Sequence, residues 1–164
     1  MAALGLAALG MMNLTSAYGE SKAIREQGLY QKSALEGNAK VAEFMAKDAE
    51  RRGERDAQEH IKATRQIVGA QRAGFAAQGV DVNSGVAADV QADTKYMGEQ
   101  DAVTIRNNAW REAWGYRVAA TDLYGQGKMA DIASKNKSRQ TLIAGGINAL
   151  DYGVRAGYAA WGKK

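Results

Sequence analysis

The chain has no proline anywhere in its 164 residues. At the usual frequency of ~5% about eight would be expected, and proline is the residue that ends or kinks a helix interior, because it lacks the N–H and its ring clashes with the preceding turn. Helices can therefore run almost anywhere in this sequence. Glycine is abundant at 19 residues, aromatic side chains make up only 7%, and the apolar 46% is largely alanine and other small residues. That mixture suits close helix packing better than a thick core. The absence of cysteine removes disulfides, thiolate chemistry and cysteine metal sites.

Stop and start signals for helices meet at one central place, QGVDVNSG, residues 78–85. Gly79 can take the left-handed conformation that closes a helix, Ser84 offers an oxygen to the free N–H groups of the next one, and Gly85 adds a second break. The stretch reads as the tip of a helical hairpin, either a plain surface loop or a tip that also meets a partner.

Two arms flank the tip. The first, 19–77, carries Glu36 with Lys40, Glu43 with Lys47 and Asp48 with Arg52, the acid four residues before the base as an isolated helix prefers. Its apolar stripe runs through Val41, Met45, Ala49, Ala57, Ile61, Thr64, Val68 and Phe75 and thins across 50–56, while Gly28, Gly37 and Gly53 mark kinks or close helix contacts. The second arm, 86–137, holds Tyr96, Val103, Trp110 and Trp114 within about a quarter-turn of one another, a seam read as arm packing. Residues 126–139 look like a polar, basic joint.

Both ends are apolar. Residues 1–18 contain no charge, about the shortest length that spans a membrane, and read as a helix that hides among other helices or dips into lipid. The last segment, 138–164, has a bulky stripe of Ile143, Ile147, Leu150, Val154, Tyr158 and Trp161, a small one of Gly145, Ala149, Gly153 and Gly157, and a polar edge of Asn148, Asp151 and Arg155. Small residues at that spacing let helix backbones approach closely, and Trp161, Lys163 and Lys164 resemble an interfacial anchor. The segment fits either a helix of a multimeric channel or a soluble helix docked on its own arms or a partner.

The expected fold is all-α: a long antiparallel helical hairpin with apolar N- and C-terminal helices. Antiparallel arms would bring both apolar ends together, opposite the tip. A hairpin buries too little by itself, so a homo-oligomeric ring or bundle is expected.

The net charge of +4 is unevenly spread: residues 1–127 hold 15 Lys or Arg against 16 Asp or Glu, and residues 128–164 hold 7 against 2. Lys128, Lys135, Lys137 and Arg139 are candidates for non-specific contact with DNA or another polyanion; the alternative is a solvated tail. His60 on its charged helix, and carboxylates such as Asp89 with Asp93, lack a base partner or pocket. No metal spacing, nucleophile elbow or phosphate loop appears. No catalytic, cofactor-binding or metal-binding residue is assigned, and no enzyme is expected.

The stretches QRAGFAAQGVDVNSGVAADVQADT, 71–94, and EQDAVTIRNNAWREAWGYR, 99–117, resemble the internal virion proteins of short-tailed bacteriophages, over about residues 66–124. The resemblance implies a non-enzymatic core or ejection protein. Such a protein is packaged inside the capsid near the portal or tail with other core proteins, and is released into the host envelope, at the outer membrane or periplasm, to help form a channel for the genome. A competing expectation is a stationary virion protein around the portal or tail, touching DNA or other core proteins without entering a membrane.

Overall fold

The computed structural model describes residues 2–161. Two helices account for most of them, α1 over Ala2–Ala77 and α2 over Gly85–Trp161, packed against each other as a hairpin. No strand occurs among the described residues. The all-α hairpin expected from the sequence is the fold, but its internal divisions differ. The helix continues through residues 18 and 19, and the stretch 126–139 is helical rather than a joint. Glycine costs a helix ~1 kcal/mol relative to alanine without removing a hydrogen bond, so Gly125 and Gly127 alone do not end it.

The turn ends α1 by a Schellman arrangement: Val80 N–H donates to Phe75 O at 3.0 Å and Gly79 N–H to Ala76 O at 3.0 Å. Gly79 has φ +72°, the left-handed value this closure requires. Gly85, with φ +60°, is already the first residue of α2. Ser84 does not cap α2. Its hydroxyl donates to Asp81 Oδ2 at 2.7 Å, and Asn83 N–H donates to Asp81 Oδ1 at 3.0 Å. The short carboxylate reaches the loop amide more readily than Ser84 reaches forward, so Asp81 organises the tip.

The chain divides into two compact units, Met1–Ala39 with Thr121–Lys164 and Lys40–Ala120. In the second unit, the contact stripe of α1 runs through Ala42, Ala46, Ala49, Gly53, Ala57, His60, Thr64, Val68, Gln71 and Phe75. That of α2 runs through Ala87, Gln91, Thr94, Gly98, Ala102, Ile105, Ala109, Ala113, Tyr116 and Ala120. Both advance by steps of 4, 3 and 4, an 11-residue repeat taken three times. The period of ~3.67 stays near the 3.6 of an α-helix, so the stripe keeps to one side. Facing residues have numbers that add to 162: Gly53 lies on Ala109, Thr64 on Gly98, and Ala49 on Ala113 with Ala46 and Tyr116 alongside. Half that sum is 81, so Asp81 is the midpoint of the pairing.

The first unit obeys the same sum, with Ala17 on Gly145, Gly28 on Ser134 and Leu35 on Gly127. The apolar terminal segments thus lie side by side, Gly10 meeting Ala149 and Tyr152. Ser21 and Ser138 share a buried hydroxyl–hydroxyl bond of 2.8 Å, and Arg25 reaches Asp131 at 3.3 Å.

These contacts explain the interior. The closest cross-pairs are small on at least one side: Leu35 meets Gly127, Tyr116 meets Ala46 and Tyr152 meets Gly10. The buried side chains are alanine, serine and threonine, and no larger one is fully buried among the described residues. Small residues bring helix axes toward the short end of the usual 8–10 Å.

Candidate interaction surface

Close contact between the helices forces the bulky apolar residues outward. Among the described residues thirty large hydrophobic side chains are exposed, far beyond the scattered singles of an ordinary surface. At the terminal ends of the first unit, residues 4–19 and 140–161, this produces a nearly charge-free exterior. Leu4, Met11, Met12 and Tyr18 of α1 are 66–76% exposed, and the stripe Ile143, Ile147, Leu150, Val154, Tyr158 and Trp161 of α2 is 57–86% exposed. Between residues 141 and 161 the charges are Asp151 and Arg155, which bond each other at 3.0 Å.

The small stripe divides. Gly145 is buried on Ala17 and Ala149 is half-buried, but Gly153 and Gly157 face open space and Ala156 is the next buried residue. Steps of four residues advance ~40° beyond a full turn each, so three steps carry Gly157 off the contact. Trp161 is the last residue described; the anchor expected from Lys163 and Lys164 lies outside the described residues. Among those residues no helix is long and apolar enough to cross a membrane.

In the second unit the expected arm-packing seam lies outside the contact with α1. Tyr96, Val103, Trp110 and Trp114 are 47–60% exposed, and the two indoles stack on each other with centroids 5.9 Å apart. Rings of that size cannot enter a contact built from Ala109, Ala113 and Gly53. Of the α1 stripe, Val41 and Met45 are exposed, while Ala49, Ala57 and Thr64 are buried. Gly53, in the stretch expected to be thinly buried, makes one of the closest helix contacts.

Ion pairs edge the contact. Arg106 donates to Glu54 at 2.8 Å, Arg117 to Glu50 at 2.7 Å and Arg52 to Glu112 at 2.9 Å, and His60 lies 3.4 Å from Asp101. Bonds from Arg106, then Gln58, hold the Glu54 carboxyl below its ordinary range, and the bond to Glu112 raises Arg52. Of the three expected i,i+4 pairs, Asp48–Arg52 forms at 3.1 Å, whereas Glu36 pairs with Lys32 at 3.8 Å instead of with Lys40.

The four basic candidates separate. Lys135 is bonded to Asp131 at 2.6 Å, a bond that is the main cause of that carboxyl's lowered pKa, while Lys128, Lys137 and Arg139 stand exposed. Among the described residues no group of His, Asp and Glu could hold a metal ion. The groove on the first unit beside Gly28 and Ser134 is lined by Gln27, Gln31, Gln126 and Lys137 and contains no carboxylate. Sequence reasoning missed Asp81 and the small-residue contact stripe. The 11-residue spacing of Ala87, Gly98, Ala109 and Ala120 was the available signal.

No protein-family model, curated protein sequence or solved structure matches this chain.

Proposed function

We propose that the protein is a non-enzymatic internal virion protein of a short-tailed bacteriophage, released into the host envelope where copies self-associate and help form a channel for the genome. The observation that carries this reading is the inverted arrangement at the terminal ends of the first unit, residues 4–19 and 140–161. Its helices meet through glycine, alanine and serine and direct leucine, isoleucine, valine and aromatic side chains outward, the distribution suited to helices that pack in lipid. Gly10, Gly28, Gly145, Ser21, Ser134 and Ser138, which face inward, lower the mean hydropathy of their helices without touching the outer surface. Lipid contact in this reading belongs to the outer face of an assembly, not to a lone span. The phage resemblance of residues 66–124 supplies the biological setting, including neighbouring core proteins and the portal or tail.

The purified chain is expected to float with liposomes and release an entrapped dye. Ile147→Lys with Val154→Lys, both outward and exposed, should abolish release while leaving helicity unchanged; deletion of 141–161, which removes the end of α2, should also abolish release. A protein that neither floats nor releases dye would instead be a stationary virion component.

A further inference from the structure

Position in the 11-residue repeat decides where each residue of the second unit sits, since each step turns ~98° relative to the contact stripe. The ion pairs identify the two sides. Glu54–Arg106 and Glu50–Arg117 edge one flank; Arg52–Glu112 and His60–Asp101 edge the other. Two grooves confirm the division, Ile61, Arg65, Lys95 and Glu99 lining the first flank and Arg52, Asp56, Asn108 and Glu112 the second.

The flanks differ in chemistry. The first carries the stacked Trp110 and Trp114 with Val103, and its charges are six bases, among them Lys47, Arg65 and Lys95, against four acids, a net of +2. The second carries Val41, Met45, Val90 and Met97, with six acids, among them Asp56, Glu59 and Asp93, against Arg52 alone, a net of −5. Each flank has an exposed apolar centre, and the net charges of the two are opposite in sign.

Surface area sets the scale of what is uncovered. The chain exposes 11765 Å², against about 7,900 Å² for a compact monomer of 17.5 kDa. The excess, about 3,900 Å² over the whole chain, exceeds the ~800 Å² that one partner contributes to a standard interface and the ~1,000–2,500 Å² that each contributes to an obligate one.

We propose that these flanks are the two halves of one interface between copies of this chain, the tryptophan flank of one copy docking on the acidic flank of the next. Two different surfaces make the contact head-to-tail rather than two-fold, so it propagates to a closed ring or an open filament. Stacked indoles supply large rigid area at the centre of such a contact, where tryptophan dominates affinity. This deepens the self-association in the reading above and rests on that part of it alone.

Complementation tests the proposal with full-length chain. Trp110→Ala with Trp114→Ala removes one half; Asp56→Lys, Glu59→Lys and Asp93→Lys reverse the other, and among the described residues none of these acids has an ion-pair partner. Mass by light scattering should show a multimer for the unaltered protein and a monomer for each variant alone, association falling about 30-fold or more. An equimolar mixture should give a 1:1 dimer and stop there, because each pair then has one intact interface. Circular dichroism at 222 nm checks that both variants remain helical. A monomeric unaltered chain, variants that assemble undiminished, or a mixture that stays monomeric would each overturn the proposal. So would indole quenching by a single-stranded oligonucleotide with the chain still monomeric, which would assign the tryptophan flank to nucleic acid. Dye release by variants that assemble like the unaltered chain would sink the interface and leave the channel reading standing. Complementation without dye release would do the reverse.

Discussion

Gly53→Ala and Gly69→Ala place the same methyl group on the same helix of the same unit, yet should change stability in opposite directions. A Cβ at Gly69 meets open space; one at Gly53 falls on the Cβ of Ala109, a methyl fixed to the facing backbone that no rotamer change can move. Both substitutions gain ~1 kcal/mol of helix propensity. Overpacking a tight contact costs ~1–3 kcal/mol. Gly69→Ala should therefore stabilise by about 1 kcal/mol, Gly53→Ala should range from neutral to about 2 kcal/mol destabilising, and their difference of ~1–3 kcal/mol isolates the contact. Adding Ala109→Gly to Gly53→Ala moves the methyl across the interface and should recover most of the loss, giving a coupling energy within the ~0.5–3 kcal/mol seen for touching residues. Urea unfolding followed at 222 nm measures these proteins together with Ala109→Gly alone, which completes the cycle, at one fixed concentration because self-association adds stability by mass action. If Gly53→Ala stabilises as much as Gly69→Ala, the helices do not meet at Gly53 and the register summing to 162 is wrong.

Other outcomes follow from the same geometry. Glu54 and Asp81 have depressed pKa values, from bonds to Arg106 and Gln58 and to Ser84 and Asn83 respectively. A carboxyl lowered in the folded state adds stability that is complete above its unfolded pKa of ~4 and is lost as pH falls through the folded value. The unfolding midpoint should hold from neutral pH to about 5 and drop below ~4, and Glu54→Gln should flatten that drop. Asp81→Ala should speed amide exchange across residues 79–84, whereas Ser84→Ala should leave the first turn of α2 as protected as before. Gly28→Ala and Gly145→Ala, which meet Ser134 and Ala17, should destabilise the first unit, while Gly153→Ala, facing open space, should stabilise it; denaturant midpoints report the sign. Trp110 and Trp114, about half exposed, should emit at long wavelength in dilute protein and shift to the blue as concentration rises.

The sequence by itself determined that the chain forms long helices and turns once. Without proline the backbone hydrogen-bond ladder has no forced stop, and Gly79 supplies the left-handed residue that closes α1. Its reading of faces went astray because it followed bulk. Tyr96, Val103, Trp110 and Trp114 form the strongest apolar periodicity, but periodicity only says that residues share a side, not which neighbour covers it. Only the tertiary structure decided that α1 and α2 meet through Ala, Gly and Ser. It did so by fixing the register about Asp81, which sets Gly53 on Ala109 and Gly28 on Ser134, close enough that a tryptophan cannot enter. Ser84 shows the same limit on a small scale, since residue type permits a cap but the competing Asp81 carboxylate is nearer. Local chemistry fixes where a helix runs and ends. Which face it buries depends on what stands opposite, and that is a property of the pair.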